Sequence, residues 1–186
     1  RFRTHISSFS LEFGKTVIIA LVAVLFIRTF ITKPFLVNGS SMEPNFYNGD
    51  YLLIDEVTYR LKPPARGEVI VFKYPGNPKS FYIKRIIGLP GEKIVIRNGV
   101  ISATKDNEKI LIKEDYTVPL RTLSTFEAEL KDNEYFVMGD NRNFSFDSRN
   151  WGPLQSNKII GLVRLRLWPL TKIMFFDAPD YEPKDN

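Results

Sequence analysis

The feature that most constrains this fold is a continuous apolar segment near the N-terminus. Val17–Ile27 contains no polar residue, and the stretch between Lys15 and Lys33 holds one charge, Arg28. A stretch of about 17 residues is close to the lower limit for a membrane-spanning helix. If this segment were a buried core helix, the charge of Arg28 would need a partner in the core. If it were a cleavable signal peptide, a small-x-small cleavage site would follow it, and none is present here. The pattern therefore favours a transmembrane anchor over residues 16–32.

The charges that flank the anchor predict its orientation. Arg1, Arg3 and Lys15 precede it, whereas beyond it Lys33 is offset by acidic residues. Basic residues prefer the cytoplasmic side, so the N-terminus is expected in the cytoplasm and the rest of the chain outside. The membrane is the cell membrane or an internal one such as the thylakoid. Four parts are predicted: a cytoplasmic segment (1–15), the anchor (16–32), an extracytoplasmic β-rich domain (33–176) and a loose C-terminal tail (177–186).

After Pro34 the pattern changes from helical to strand-like. Short runs rich in β-branched and aromatic residues, such as Glu68–Phe72, are bounded by Gly and Pro. Asn98-Gly99 between two such runs is a strong hairpin signal. In Ile159–Trp168, apolar residues alternate with Arg164 and Arg166, as on a half-solvated sheet. Residues 102–133 are charged and weakly periodic and are read as a small lobe. The expected fold is mainly β, with an antiparallel sheet after the N-terminal helix.

Composition narrows the possible partners and cofactors. The net charge of +5 arises from basic residues scattered among acidic ones, without the basic stripe or reading element of a nucleic-acid-binding protein. Nucleic acid is therefore not expected, whereas a lipid bilayer is. The absence of cysteine means that the fold requires no disulfide. No metal or other cofactor is expected.

The single histidine limits the catalytic arrangements that are available. His5 precedes the anchor, so the body of the chain cannot assemble a Ser-His-Asp triad. A nucleophile such as Ser41 would need a lysine as its base, and Lys84 lies in an apolar run whose burial would lower its pKa. Each residue also has an ordinary interpretation: Ser41 as a turn residue, and Lys84 as a strand lysine that points to solvent beside Tyr82.

A polar segment, Gly139–Gly152, is the third candidate for chemistry. Its composition would also suit a loop of Asx and Ser turns. However, it carries four charged residues and two hydroxyls that can form a charge-assisted network. These residues are Asp140, Arg142, Ser145, Asp147, Ser148 and Arg149. A serine hydroxyl from this loop could orient a neutral lysine without stabilising its cation as a carboxylate would.

Taken together, these segments resemble bacterial type I signal peptidases, the membrane-anchored serine proteases that cleave signal peptides from exported proteins. The resemblance extends from the anchor to Trp168. It rests on Ser-Met-x-Pro at Ser41, Lys-Arg-x-x-Gly-x-Pro-Gly at Lys84 and Gly-Asp-Asn-Arg…Ser-x-Asp-Ser-Arg-x-Trp-Gly from Gly139, all in the family's order. It implies an endopeptidase whose partners are the signal peptides of exported preproteins, with a catalytic domain of the signal peptidase and LexA type.

The resemblance also implies roles for particular residues. Ser41 would be the nucleophile and Lys84 the general base. Ser145 would orient Lys84, and Asp147 with Arg149 would hold the Ser145 loop in place. The backbone N–H of Ser41 would donate to the oxyanion.

Two positions depart from the family pattern. Some members have a serine two residues before the nucleophile as a second oxyanion donor, and this chain has Gly39 there. Phe144 is bulkier than the residue common at its place, and no role is predicted for it.

The resemblance implies that the substrate adds as an extended strand beside the nucleophile. It would lie between the segments 35–38 and 81–83. Shallow apolar pockets would accept small side chains such as Ala at positions −1 and −3 and reject larger ones by steric clash. The predicted substrate-binding residues are Phe35, Val37, Met42, Tyr82 and Ile83.

Two other classes of protein fit parts of the pattern. A self-cleaving Ser-Lys regulator of the LexA type shares the fold and the dyad, but normally carries a DNA-binding helical domain and no anchor. A membrane-tethered β domain that only binds a partner explains the helix and the strands, but leaves Ser41, Lys84 and the Ser145 loop as coincidence.

Overall fold

The structure is a computed structural model that describes residues 12–22, 32–114, 116–117 and 125–178. Residues 12–22 form a helix, α1, whose apolar side chains are largely exposed. No helix among the described residues is long and apolar enough to cross a membrane. The predicted anchor at 16–32 lies partly outside the described residues, because 23–31 are not among them. Most of the predicted cytoplasmic segment and of the C-terminal tail also lies outside.

The rest of the described chain is built from short strands, in agreement with the predicted β-rich fold. Two single-turn helices interrupt them, α2 (Thr58–Leu61) and α3 (Ser148–Trp151). The strands are β1 (Thr32–Leu36), β2 (Tyr51–Asp55), β3 (Val69–Lys73), β4 (Phe81–Gly88), β5 (Lys93–Arg97), β6 (Val100–Lys105), β7 (Glu108–Ile112), β8 (Phe126–Glu129), β9 (Glu134–Met138), β10 (Leu154–Gln155), β11 (Ile159–Trp168) and β12 (Met174–Phe175).

The larger sheet has the strand order β1-β2-β11-β3-β4-β9-β10, with β12 also paired to β11. Every pairing in it is antiparallel. Strand β4 pairs with β3 along Phe81–Arg85, whereas β9 joins its other side only from Arg85 onward. The first half of β4 therefore has one edge that no described strand covers. The outer edge of β1 is likewise unpaired within the described residues.

The alternation predicted for β11 is wrong at its C-terminal end. Arg166 is buried and forms an ion pair with Asp50 over 2.9 Å, whereas Leu167 is exposed. The pairing of β11 with β2 shifts register twice, between Val163 and Leu165 and between Arg166 and Trp168. A β-bulge inserts a residue and changes which side chains face the core, so strict alternation does not hold there.

The smaller sheet has the order β7-β6-β5-β8 and forms a lobe against the larger one. The predicted hairpin is confirmed, because Arg97 pairs with Val100 and the two residues between them have positive φ, 51° at Asn98 and 79° at Gly99. Those angles suit the twist of a two-residue hairpin. The lobe is larger than the predicted one at residues 102–133, because its sheet also includes β5, which precedes them in the sequence. Its apolar face packs on side chains of β4 and β9, including Ile87.

Candidate active site

The fold brings Ser41 and Lys84 together from segments that are far apart in sequence. Ser41 lies in the turn that follows β1, and Lys84 lies on β4. The Lys84 Nζ donates to the Ser41 Oγ over 2.7 Å and to its neighbour's carbonyl, Ile83 O, over 2.9 Å. Lys84 is only 4% exposed, which excludes the ordinary solvent-facing interpretation of this strand lysine.

Burial makes Lys84 a weaker base than a free lysine. It lowers the pKa of Lys84 to about 8 from 10.5, because an apolar environment disfavours the ammonium. The carboxylates of Asp147 and Asp140 act in the opposite direction and raise the pKa. The lowering of the pKa by desolvation is larger than the raising by the two carboxylates, so the net shift is downward. A lysine with such a pKa can exist as a neutral amine near neutral pH, as a general base must.

Asp147 organises the loop that carries Ser145. It is fully buried and caps α3, and its carboxylate accepts from the backbone N–H of Arg149 (3.2 Å) and of Gly139 (3.1 Å). The Arg149 guanidinium adds two charge-assisted bonds, from Nε (2.8 Å) and Nη2 (2.7 Å). The predicted pair of Asp147 and Arg149 is therefore in contact, and it ties both ends of the loop together.

Ser145 lies next to the dyad but does not bond to it. Its Oγ is buried and has no hydrogen-bond partner in the described part of the chain, so the predicted contact with Lys84 is not formed. Ser145 can occupy this position because Gly139 has no side chain. A Cβ on Gly139 would lie 2.2 Å from the Ser145 Oγ and 2.3 Å from the Ser41 carbonyl oxygen. The carbonyl of Ile83, which sequence reasoning missed, holds Lys84 instead.

A second buried ion pair was not predicted from the sequence. The Arg85 guanidinium binds the Asp140 carboxylate through Nε (2.8 Å) and Nη2 (2.7 Å), and both residues are buried. Asn45 also donates to Asp140, over 2.9 Å. The sequence placed Asp140 in a charged network but gave no sign of its partner, because 55 positions separate the two residues.

An open cleft of about 410 Å³ leads to Ser41 and Lys84. It lies between β1 and the first half of β4, so the two strand edges without partners form its walls. Three of the predicted substrate-binding residues line it, namely Phe35, Tyr82 and Ile83. Such a cleft can accept an extended peptide that pairs with both edges.

Two predicted substrate-binding residues do not line this cleft. Val37 and Met42 are each 1% exposed and belong to the core beneath it, where they pack in one cluster with Phe46. Val37 follows the end of β1, and its N–H donates to Asp50 O over 2.9 Å. This bond extends the antiparallel pairing of β1 with β2 by one residue, and the Val37 side chain packs in the core cluster that Phe35 borders.

Two aromatic residues that the sequence did not predict, Phe144 and Phe146, form a wall of the cleft together with Phe81, which belongs to the predicted flanking segment 81–83. Phe144 and Phe146 are 76% and 51% exposed, and Phe81 is also exposed. The ring of Phe146 lies 6.0 Å from that of Tyr74, which stacks on Tyr82 at 4.7 Å. The only sign of this wall in the sequence was the large side chain of Phe144.

Among the described residues, no three His, Cys, Asp or Glu side chains cluster as metal ligands would.

Several known proteins are similar in sequence to this chain over most of its length. A family model described as "Signal peptidase, peptidase S26" matches residues 10–168. The chain is 37% identical over 172 residues to "Probable signal peptidase I-2" of Synechocystis sp., covering 88% of this chain and 75% of that protein. It is 33% identical over 170 residues to "Signal peptidase I P" of Bacillus subtilis subsp. natto, covering 88% and 91%.

Among solved structures, a signal peptidase I from Enterococcus faecalis V583 is similar in sequence, with 29% identity. The alignment covers 54% of this chain and 97% of that one, with a TM-score of 0.46. The family match spans both Ser41 and Lys84 and nearly all of the described β domain. The chain belongs to the signal peptidase family, peptidase S26.

Proposed function

We propose that this protein cleaves signal peptides from exported preproteins, with Ser41 as the nucleophile and Lys84 as the general base. The observation that carries the proposal is the 2.7 Å contact between the Ser41 Oγ and a buried lysine amine. Membership in the signal peptidase family supports the substrate class. A lysine that loses its proton near pH 8 supports the chemistry.

In the first step, neutral Lys84 takes the proton of the Ser41 hydroxyl as Oγ attacks the carbonyl carbon of residue −1. The oxyanion that forms accepts a hydrogen bond from the backbone N–H of Ser41. When the tetrahedral intermediate collapses, the C–N bond breaks and the Lys84 ammonium gives its proton to the leaving amine. The mature protein departs, and the signal peptide remains as an ester on Ser41.

In the second step, water replaces the amine. Lys84, neutral again, takes a proton from the water, whose oxygen attacks the ester carbonyl. The second intermediate collapses, Ser41 recovers its proton from Lys84, and the signal peptide leaves as a carboxylic acid. Asp147 and Asp140 favour the transient ammonium without keeping it permanently charged, since burial outweighs them. In this cycle Ser145 orients Lys84 when substrate is bound, as its unpartnered Oγ permits.

We infer a preference for small side chains at −1 and −3, and the shape of the cleft supports it. An extended substrate between β1 and β4 points alternate side chains to the same face of the sheet. One face meets Ile83 and Phe35, which offer a shallow apolar surface beside the nucleophile. Alanine fits such a surface, and larger side chains clash with the core on which it rests.

The proposed location is a membrane, with the catalytic domain outside the cytoplasm. The charge difference across residues 16–32 supports this orientation. The exposed apolar side chains of α1, such as Ile18 and Ile19, would be covered by lipid. A short connection from the anchor to Ser41 would then present the nucleophile where a membrane-inserted signal peptide emerges.

Cleavage of a preprotein by the detergent-solubilised full chain tests the proposal, with the new N-terminus sequenced. Ser41→Ala and Lys84→Met should each lower kcat/KM by at least about a thousandfold, since both act in the chemical step. Ser156→Ala and Lys73→Met, at exposed positions of the same domain, are the matched controls and should remain active. Substantial cleavage by Ser41→Ala, with the fold intact by circular dichroism, would refute the assignment.

A further inference from the structure

We propose that Glu114 and Tyr116, which lie between β7 and β8 and are called the strap here, are positioning residues by which the small lobe holds the catalytic loop, the segment 139–152 that carries Ser145. The inference rests on the proposed function, because the loop it concerns is the one beside Ser41 and Lys84. Neither residue belongs to any of the sequence motifs described above.

Glu114 binds the catalytic loop through a buried arginine. Arg142 is 2% exposed, and its guanidinium contacts both carboxylate oxygens of Glu114, with Nη2 to Oε1 at 2.5 Å. The same guanidinium donates through Nε to Gly139 O over 2.9 Å. A planar guanidinium fixed on two sides holds its partners in one geometry. The strap therefore fixes the backbone carbonyl of Gly139.

Gly139 passes this constraint on to the reacting groups. Its Cα lies against the Ser145 side chain and the Ser41 carbonyl, with no room for a Cβ between them. Asn141, two residues later, donates its backbone N–H to the same Ser41 carbonyl over 3.0 Å. A displacement of the Gly139 backbone would therefore displace the backbone of the nucleophile.

Tyr116 donates its hydroxyl to the Glu114 carboxylate over 3.3 Å and also contacts the second ion pair, Arg85 with Asp140. Its ring lies 4.3 Å from the Arg85 guanidinium, which is bound to Asp140. Its carbonyl accepts from the Asn45 amide over 2.8 Å, and the same amide donates to Asp140 over 2.9 Å. The strap thus covers the ion pair next to Lys84 with an aromatic ring and shares a hydrogen-bond donor with it.

This arrangement predicts an effect on the protonation of Lys84 as well as on its position. The carboxylates that act on Lys84 are Asp147 and Asp140, and the residue opposite it on β3 is the uncharged Ile70. Loss of the Tyr116 ring would loosen Arg85, the cationic partner of Asp140, and leave more of the Asp140 charge uncompensated. This change favours the Lys84 ammonium, so the pKa of Lys84 would rise. The charged groups around the dyad are Asp140, Asp147, Arg85, Arg142 and Arg149.

Tyr116→Leu and Tyr116→Phe in the full chain, assayed for preprotein cleavage against pH, test the strap. Tyr116→Leu should lower kcat about tenfold or more with little change in KM, and should move the acidic limb of kcat/KM to a higher pH than the wild-type value of about 8. Tyr116→Phe keeps the ring over Arg85 and should restore the wild-type limb. Leu111→Ala, at a 62% exposed position of the same lobe, controls for general loosening.

A second measurement separates failure of the strap from failure of the proposed function. In a Ser41→Ala background, NMR titration of the Lys84 ¹⁵Nζ follows its protonation without any cleavage. A higher Lys84 pKa in Tyr116→Leu than in Tyr116→Phe supports the strap even if no preprotein is cleaved. Equal values in both variants, or the same loss of activity in Leu111→Ala, would overturn it.

Discussion

The pKa of Lys84 leads to a quantitative prediction for activity. A single group with a pKa of about 8 is neutral in about one molecule in ten at pH 7 and about nine in ten at pH 9. Because only the neutral amine can accept the Ser41 proton, kcat/KM should rise roughly tenfold over this interval. Below pH 7, kcat/KM should rise by nearly tenfold for each pH unit.

The same pKa affects stability, and the sign can be worked out. The folded-state pKa is lowered relative to the unfolded chain, so between about pH 8 and 10.5 the unfolded state binds more protons at Lys84. The free energy of unfolding should therefore increase with pH in that window. At about 1.4 kcal/mol for each pKa unit, the penalty for the buried ammonium is about 3 kcal/mol below pH 8 and is relieved by pH 10.5.

Two titrations measure these effects. Cleavage of a short peptide under kcat/KM conditions gives the activity profile, and urea unfolding at successive pH values gives the stability profile. Lys84→Met is the reference for the stability profile. Burial also raises the pKa of Tyr59 and Tyr135, but both tyrosines are present in the variant, so their contribution cancels when its free energy of unfolding is subtracted from that of the wild type. An acidic limb near pH 4, or a stability difference that does not change between pH 8 and 10.5, would refute the reasoning.

Two further predictions concern the loop and the anchor. Gly139→Ala should destabilise the fold by about 1–3 kcal/mol and strongly reduce cleavage, because its Cβ would lie 2.3 Å from the Ser41 carbonyl oxygen; wild-type melting and activity would contradict this close packing. Deletion of residues 1–32 should weaken cleavage of membrane-inserted preproteins while largely sparing short soluble peptides, since the proposed anchor would raise the local concentration of the site at the membrane. An equal loss on both substrates would argue against that role.

The parts of the site that the sequence predicted depend on residue type and local pattern. The lone histidine excluded one base and pointed to Lys84, and Asn98-Gly99 located a hairpin from two adjacent residues. These inferences needed no knowledge of distant contacts. The pairing of Asp147 with Arg149 was implied by the family resemblance, and the contact is local, since it spans two positions and belongs to a helix cap.

The parts that the sequence did not predict depend on contacts between distant segments or on local irregularity. Glu114 and Arg142 are 28 positions apart, and nothing local distinguishes Glu114 from other charged residues of the lobe. Val37 was expected in the cleft from the resemblance to signal peptidases, whereas its side chain packs in the core beneath the cleft. Arg166 is buried because a bulge changes the phase of β11. Periodicity indicates the face of a regular strand and fails where the backbone is irregular.

The proposed role of Lys84 as the base would account for the buried ion pairs around it. A lysine amine becomes neutral near physiological pH only if water is excluded, and excluding water strengthens the effect of any nearby carboxylate. Asp140 and Asp147 would raise the Lys84 pKa far more if they were unpaired, but each is bound by an arginine that offsets its charge. The two pairs therefore allow carboxylates to order the loop while burial still determines the pKa of Lys84. A strap that keeps Arg85 against Asp140 protects that balance, which is why Tyr116 affects catalysis without touching the substrate.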